Sequence, residues 1–202
     1  LLLTSYAPLA VSATSPETRS TTVWSGTVVL QNGYTVESGE ILVVQSGTTI
    51  QLGDDERIVV AGRMNVQGTS ADPVLLESII GNHHGIEFNS SSSGLGSKIE
   101  NLTITQAEWG VTIYDSDPTL NNLKVINADR VAVDLFDGAS PRINDLVIDG
   151  GGQDLHGVST SWRYGIGLSV GAYSAPIVDG VIADGLITRG VNYWGNSGGL
   201  IT

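Results

Sequence analysis

Short apolar runs that alternate with polar residues recur in the same order along the second half of the chain. Lys98-Ile-Glu-Asn-Leu-Thr-Ile104 can be laid over Pro118-Thr-Leu-Asn-Asn-Leu-Lys-Val125, Pro141-Arg-Ile-Asn-Asp-Leu-Val-Ile148 and Pro176-Ile-Val-Asp-Gly-Val-Ile182. A second short unit follows each: Gly110-Val-Thr-Ile113, Arg130-Val-Ala-Val133, Gly165-Ile-Gly-Leu168 and Gly190-Val-Asn-Tyr193, with an earlier copy at Gly85-Ile-Glu-Phe88. The second units start at 85, 110, 130, 165 and 190, a spacing of 20–35 residues. Alternation sends every second side chain to one face, so each unit reads as a strand. A period of this length in strands signals a solenoid whose coils bury their apolar faces only on one another. Helical repeats are excluded, because glycine and β-branched residues are frequent and no apolar period of 3.6 is sustained.

Alignment of the units predicts an inward set: Ile99, Leu102, Ile104, Val111, Ile113, Leu120, Leu123, Val125, Val131, Val133, Ile143, Leu146, Ile148, Ile166 and Leu168. The polar break inside the first unit is Asn101, Asn122, Asp145 and Gly180. These residue types tolerate left-handed backbone angles, so the position reads as a stacked bend between strands. From the first unit to the second is 12 residues in two coils, 24 in the third and 14 in the fourth. The excess places an insertion near 150–162, a loop leaving one corner while the coil continues.

The N-terminal half carries strand-length pieces punctuated by turn dipeptides. Tyr34-Thr-Val-Glu-Ser-Gly39, Ile41-Leu-Val-Val44, Ser46-Gly-Thr-Thr-Ile50, Ile58-Val-Val-Ala-Gly-Arg-Met-Asn-Val-Gln-Gly-Thr69 and Asp72-Pro-Val74 follow in order. This succession resembles the opening coils of right-handed parallel β-helix proteins of bacterial and archaeal surfaces, over about residues 24–202. The resemblance implies an all-β, right-handed parallel β-helix of about eight coils, with three short strands in each. It rests on corner and core residues and carries no chemistry.

The two ends add expectations of their own. Residues 1–13 end in Val11-Ser12-Ala13 after an apolar stretch, as the remnant of a secretory signal would; an apolar strand capping the first coil is the alternative. Residues 14–23 read as a polar linker and 24–202 as the β-helix domain. Gly199-Leu-Ile-Thr202 reads as a strand beginning with nothing to cover it, which points to a C-terminal truncation, a fragment of a larger surface protein, or to copies that stack end to end. The expected localisation is secreted or cell surface.

Charge and composition narrow the partners. The net charge is −12 with only two lysines, Lys98 and Lys124, so nucleic acid and anionic membrane are repelled. No apolar stretch reaches the ~18–20 residues of a membrane-crossing helix. Cysteine is absent, so no disulfide staples the fold.

Three groups of residues are candidates for chemistry. Asp115, Asp117, Asp134 and Asp137 follow the second unit in adjacent coils. Such a set can hold Ca²⁺, which takes six to eight oxygens, can hydrolyse a glycoside, or can cap turns. His156 lies in Asp154-Leu-His-Gly-Val-Ser159 with Arg163 close behind. His-Gly-Val-Ser resembles part of the active-site signature of polygalacturonase-like β-helix hydrolases, but the accompanying Asn-Thr-Asp, Asp-Asp and Arg-Ile-Lys motifs are missing. Asp154, His156 and Arg163 are therefore the catalytic candidates only in an enzyme reading. Trp162 and Trp194 are candidates for stacking on sugar, while Tyr193 is expected inward. His83 and His84 are neighbours on a strand and point to opposite faces, and Asp54-Asp55-Glu56 reads as a solvated turn.

These features lead to an expected non-catalytic extracellular module, structural or adhesive, with carbohydrate or other copies of surface proteins as partners. A polysaccharide lyase or glycoside hydrolase, or a carbohydrate-binding module, is the alternative on the same fold. The nine basic residues are scattered, which argues against an acidic polymer as substrate.

Overall fold

A computed structural model describes residues 19–151, 165–186 and 188–202. Within them the chain winds into a parallel β-solenoid of about seven turns. One limb of each coil is β1 (Ser20–Trp24), β4 (Glu40–Gln45), β7 (Arg63–Gln67), β10 (Lys98–Thr105), β12 (Thr119–Ala128), β14 (Arg142–Gly151), β16 (Ile177–Leu186) and β18 (Leu200–Ile201), hydrogen-bonded in that order. A second limb, β2 (Thr27–Leu30), β5 (Thr49–Leu52) and β8 (Val74–Ser78), joins the same sheet through β10. The opposite sheet stacks β3 (Tyr34–Val36), β6 (Ile58–Val60), β9 (Ile86–Phe88), β11 (Trp109–Tyr114), β13 (Val131–Phe136), β15 (Ile166–Val170) and β17 (Arg189–Tyr193). No helix among the described residues is long and apolar enough to cross a membrane.

The first sheet changes character at β10. Below it, β7 and β8 are separate strands joined by residues 68–73. Lys98, Ile99 and Glu100 pair with β7, whereas Leu102, Thr103 and Ile104 pair with β8. Asn101 alone replaces the intervening loop, with φ 47° and its Nδ2 donating to the Gly68 carbonyl at 2.9 Å. From β12 on, the two limbs are one ten-residue strand bent at a left-handed residue. The expected three strands per coil therefore hold in the lower coils and reduce to two in the upper ones.

That bend is one of three columns. The flanking pairs align Asn101, Asn122, Asp145 and Gly180, with φ of 47°, 51°, 55° and 78°. The end of the same limb aligns Gln106, Asn127, Gly150 and Gly185 at 57°, 55°, 71° and 65°. The exit from the second sheet aligns Asp115, Asp137, Ala172 and Gly195 at 43°, 54°, 45° and 64°. An ordinary L-residue loses about 1–2 kcal/mol in this region, and Asn, Asp and Gly lose least. Ten of these twelve positions carry one of those three types; Gln106 and Ala172 are the exceptions.

Between the corners, inward residues stack on their own kind. Val36, Val60, Phe88, Ile113, Leu135 and Val170 form one buried column of the second sheet. Ile99, Leu120, Ile143 and Val178 form another on the first. All fifteen residues expected inward are buried. Two details differ. Val111 pairs with Val133 and Ile166 with Arg189, each two residues away from the repeat alignment, because Trp109 and Arg189 already occupy strand positions. A shift of two keeps every side chain on its own face, so the core survived the misalignment. Tyr193 does continue the inward column above Val170, yet it is 44% exposed because no further described rung covers it.

The domain starts earlier than the pattern implied. β1 opens at Ser20 and pairs with Glu40, inside the stretch expected to be linker. Glu40 ties this end together. Burial pushes its carboxyl up, but hydrogen bonds from Thr22 Oγ1 (2.6 Å), Tyr34 OH (2.7 Å) and Glu37 N (3.1 Å) outweigh that and hold it below the usual range. The insertion expected near 150–162 falls, from residue 152 on, outside the described residues. Gly151 pairs with Ala128 and Ile166 with Val131, so a corner spanned by two residues in one coil is spanned by fourteen in the next.

Two measurements check this construction. Leu123→Ala should lower unfolding free energy by about 2–5 kcal/mol in urea, while Asn122→Val should cost about 1–2 kcal/mol more than Asn122→Gly. Equal losses for Val and Gly would remove the left-handed corner. His83 supplies the second. It is fully buried, with Nδ1 accepting from Gly85 N (2.9 Å) and Nε2 donating to the Thr105 carbonyl (3.0 Å). Burial, reinforced by neighbouring His84, lowers its pKa to about 4 despite the Thr105 bond. The folded ring refuses a proton that the unfolded chain takes, so its contribution is complete above about pH 6.5 and declines as pH falls towards 4. The full difference is about 3 kcal/mol. Unfolding free energy should fall over that window, and His83→Gln should flatten the slope.

Candidate functional site

Strand alternation fixes what the second sheet shows to the outside. Between the inward residues lie Val59, Glu87, Thr112, Asp134, Ser169 and Asn192, one per rung in register. Thr112, Asp134 and Ser169 are buried although they stand on the outer face. An aromatic column flanks them. Tyr114 and Phe136 stack at 5.0 Å with 14° between their planes, and Trp194 meets Phe136 edge-on at 5.8 Å. The Trp194 indole donates to Ser169 Oγ at 3.2 Å. Only glycine at position 171 admits that ring, since a Cβ there would lie 2.1 Å from it.

On the other side of the column stands the corner that leads into the sheet. His84 N bonds to the Glu56 carbonyl (2.7 Å), Glu108 N to that of His83 (2.7 Å) and Arg130 N to that of Glu108 (2.9 Å), so successive coils place these side chains one above another. A chain of polar contacts runs across them. Arg57 pairs with Glu87 at 2.7 Å and reaches His84 Nδ1 at 3.1 Å. His84 Nε2 meets Glu108 at 2.8 Å, and the other Glu108 oxygen accepts from Arg130. The Arg130 guanidinium lies over the Trp109 ring at 4.8 Å, and His84 touches the same ring edge-on at 4.8 Å. Because Arg57 only donates, Nδ1 of His84 accepts, and its Nε2 carries the proton towards Glu108.

Corner and aromatic column enclose a groove of about 210 Å³ lined by Arg57, His84, Glu87, Trp109, Thr112, Tyr114, Asp134 and Phe136. Three rings, two carboxylates, a cation, an imidazole and a hydroxyl converge there. Such a lining binds through apolar contact and hydrogen bonds together.

The structure distributes the expected site residues unevenly. Asp154, His156, Trp162 and Arg163 lie outside the described residues. The four aspartates do not converge. Asp115 and Asp137 are exposed residues of the left-handed third column, and Asp117 accepts from Gly94 N at 2.7 Å. Asp134 faces the groove instead, because it belongs to the flat of the sheet and not to the corner. Trp194 is partly exposed and engaged with Phe136 and Ser169. His83 and His84 do point apart, one into the core and one into the groove. Asp55 is more than a solvated turn: its carboxylate lies 3.6 Å from His84 Nε2. Asp55, His84 and Glu108 are the one set of three potential ligands among the described residues whose donor atoms lie within 4.8 Å of one another.

Arg57, Glu87, Glu108, Tyr114 and Phe136 were not singled out from the sequence. The signal for Glu87 was present, since the middle of Gly85-Ile-Glu-Phe88 is an outward position in every copy of the unit. Comparison with protein-family models, with curated proteins and with solved structures returned no match.

The Gly171–Trp194 contact gives a direct check on this wall of the site. Gly171→Ala should push the indole outward and shift its emission to the red, while leaving the β-sheet circular dichroism unchanged. An unaltered spectrum would mean that Trp194 does not lie over residue 171.

Proposed function

We propose that this chain is an extracellular adhesive β-helix module, akin to the surface β-helix proteins its opening coils resemble, and that it holds a neutral saccharide in the groove of its second sheet. The observation that supports the reading is the lining of that groove. Trp109, Tyr114 and Phe136 offer apolar ring surface beside Glu87, Thr112 and Asp134, which supply hydrogen-bond partners for hydroxyl groups. Sugars combine those same two demands.

Charge narrows the ligand. The two arginines of the site are engaged by carboxylates, Arg57 by Glu87 and Arg130 by Glu108. Asp55 adds further negative charge close by, on a protein of net charge −12. A uronic acid would meet like charge, whereas a neutral glycan meets only dipoles.

A hydrolytic reading has one observation in its favour. Glu87 and Asp134 occupy the same outward column two rungs apart, which sets their backbones about 10 Å apart along the axis. Inverting glycosidases hold their carboxyl groups about 6.5–9.5 Å apart. Turnover separates the two readings: binding without release of reducing ends supports the adhesive module, and release abolished by Glu87→Gln supports the enzyme.

Neutral and uronate-containing glycans should first be screened on an array, then titrated by calorimetry. Neutral oligosaccharides should bind and uronates should not. Trp109→Ala and Tyr114→Ala should each weaken binding about ten-fold, the effect of losing roughly 1.4 kcal/mol of ring contact. Binding that ignores both substitutions, or a preference for uronates, would overturn the proposal.

A further inference from the structure

We infer that Asp55, His84 and Glu108 form a three-ligand site for a divalent transition metal of the zinc class, at the mouth of the groove. Each residue comes from a different coil and stands one to three residues ahead of a strand of the second sheet, before β6, β9 and β11. Backbone bonds hold all three in place: Asp55 N to the Asn82 carbonyl (2.9 Å), His84 N to that of Glu56 (2.7 Å) and Glu108 N to that of His83 (2.7 Å). All three are corner residues, and the backbone bond each makes to a neighbouring coil fixes its height along the stack.

The donor atoms are close to coordination geometry. A tetrahedral ion with ligands at about 2.0–2.2 Å needs those atoms about 3.3 Å apart. His84 Nε2 lies 2.8 Å from Glu108 Oε2 and 3.6 Å from Asp55 Oδ1, one slightly inside and one slightly outside that value. The Asp55 side chain is 80% exposed, so it can close the remaining distance without disturbing the core. An imidazole with two carboxylates suits zinc, nickel or copper; calcium and magnesium prefer oxygen alone. Three protein ligands leave the fourth position to water or to a hydroxyl of a ligand in the groove.

Neighbours outside the set orient it. Arg130 holds the second oxygen of Glu108, leaving Oε2 to face His84. Trp109 packs edge-on against the imidazole and carries Arg130 on its face. Arg57 acts in the opposite sense. Its donation to Nδ1 keeps the proton on Nε2, the atom a metal would occupy. Metal binding moves that proton to Nδ1, where it meets the guanidinium donor to donor, so Arg57 must withdraw onto Glu87. Arg57 thus antagonises the metal, a role that a purely structural polar cluster would not give it.

Zinc chloride and nickel chloride should be titrated calorimetrically into the full chain, with calcium as the hard-cation control and circular dichroism to confirm folding of each variant. One zinc per chain should bind, calcium should not compete, and cobalt should give the intense visible bands of a tetrahedral site. His84→Gln and Glu108→Gln should each weaken zinc about ten-fold or more, and Asp55→Asn, on an exposed side chain, tests the site without risk to the fold. Arg57→Gln should tighten zinc about ten-fold, because an amide oxygen can accept the Nδ1 proton that the guanidinium repels. Absence of saturable zinc binding, or zinc binding indifferent to both Asp55→Asn and His84→Gln, would overturn the proposal, as would weaker binding in Arg57→Gln.

Discussion

The left-handed corner is the constraint on which this molecule depends. A solenoid must turn its chain sharply several times per coil and repeat each turn at the same height, or the next rung falls out of register. In the upper coils three of these turns carry a left-handed residue, φ 43–78°, and within each column such residues stand one above another. The corner therefore sets strand length, strand register and the inward parity of the core together. Where a corner is built another way, as at 68–73, the limbs separate into distinct strands; where it becomes a single Asn, they fuse.

Rigidity of this kind explains why a site can be placed on the flat of the second sheet. Core and corners hold the backbone in register, and Glu87, Thr112 and Asp134 stand on it as outward positions of successive rungs. They inherit a spacing of about 4.8 Å per rung. Function can then be altered one rung at a time. The corner leading into the sheet works in the same way, stacking His84, Glu108 and Arg130 so that opposite or neutral partners adjoin.

How much of this was legible in the sequence follows from which residues the corner constrains. Asn101, Asn122 and Asp145 were readable because three coils set them at the same place between flanking apolar residues. The second column was overlooked because its members, Gln106, Asn127, Gly150 and Gly185, share no side-chain chemistry, only a backbone angle. Asp115 and Asp137 were read as turn residues or as potential ligands; their positive φ places them at the third corner. Asp134 was grouped with them by proximity in sequence, although a few residues along a solenoid separate a corner from a face. The site eluded the reading for a related reason. Arg57, His84, Glu108 and Trp109 belong to three different coils, and the two-residue register shift at Trp109 hid which residues adjoin it.

Charge separates the two roles of the surface. Asp115 stacks on Asp137, like charge on like, at exposed positions. Water and salt screen such pairs, so they cost little and keep an acidic rod from aggregating. In and beside the groove the pattern reverses: Glu87 and Glu108, each less exposed, are held by Arg57 and Arg130. Partly buried carboxylates without such partners would carry a desolvation penalty that the corner residues escape. The arginines thus permit Glu87 and Glu108 to be held at fixed positions in and beside a semi-enclosed groove, where orientation matters.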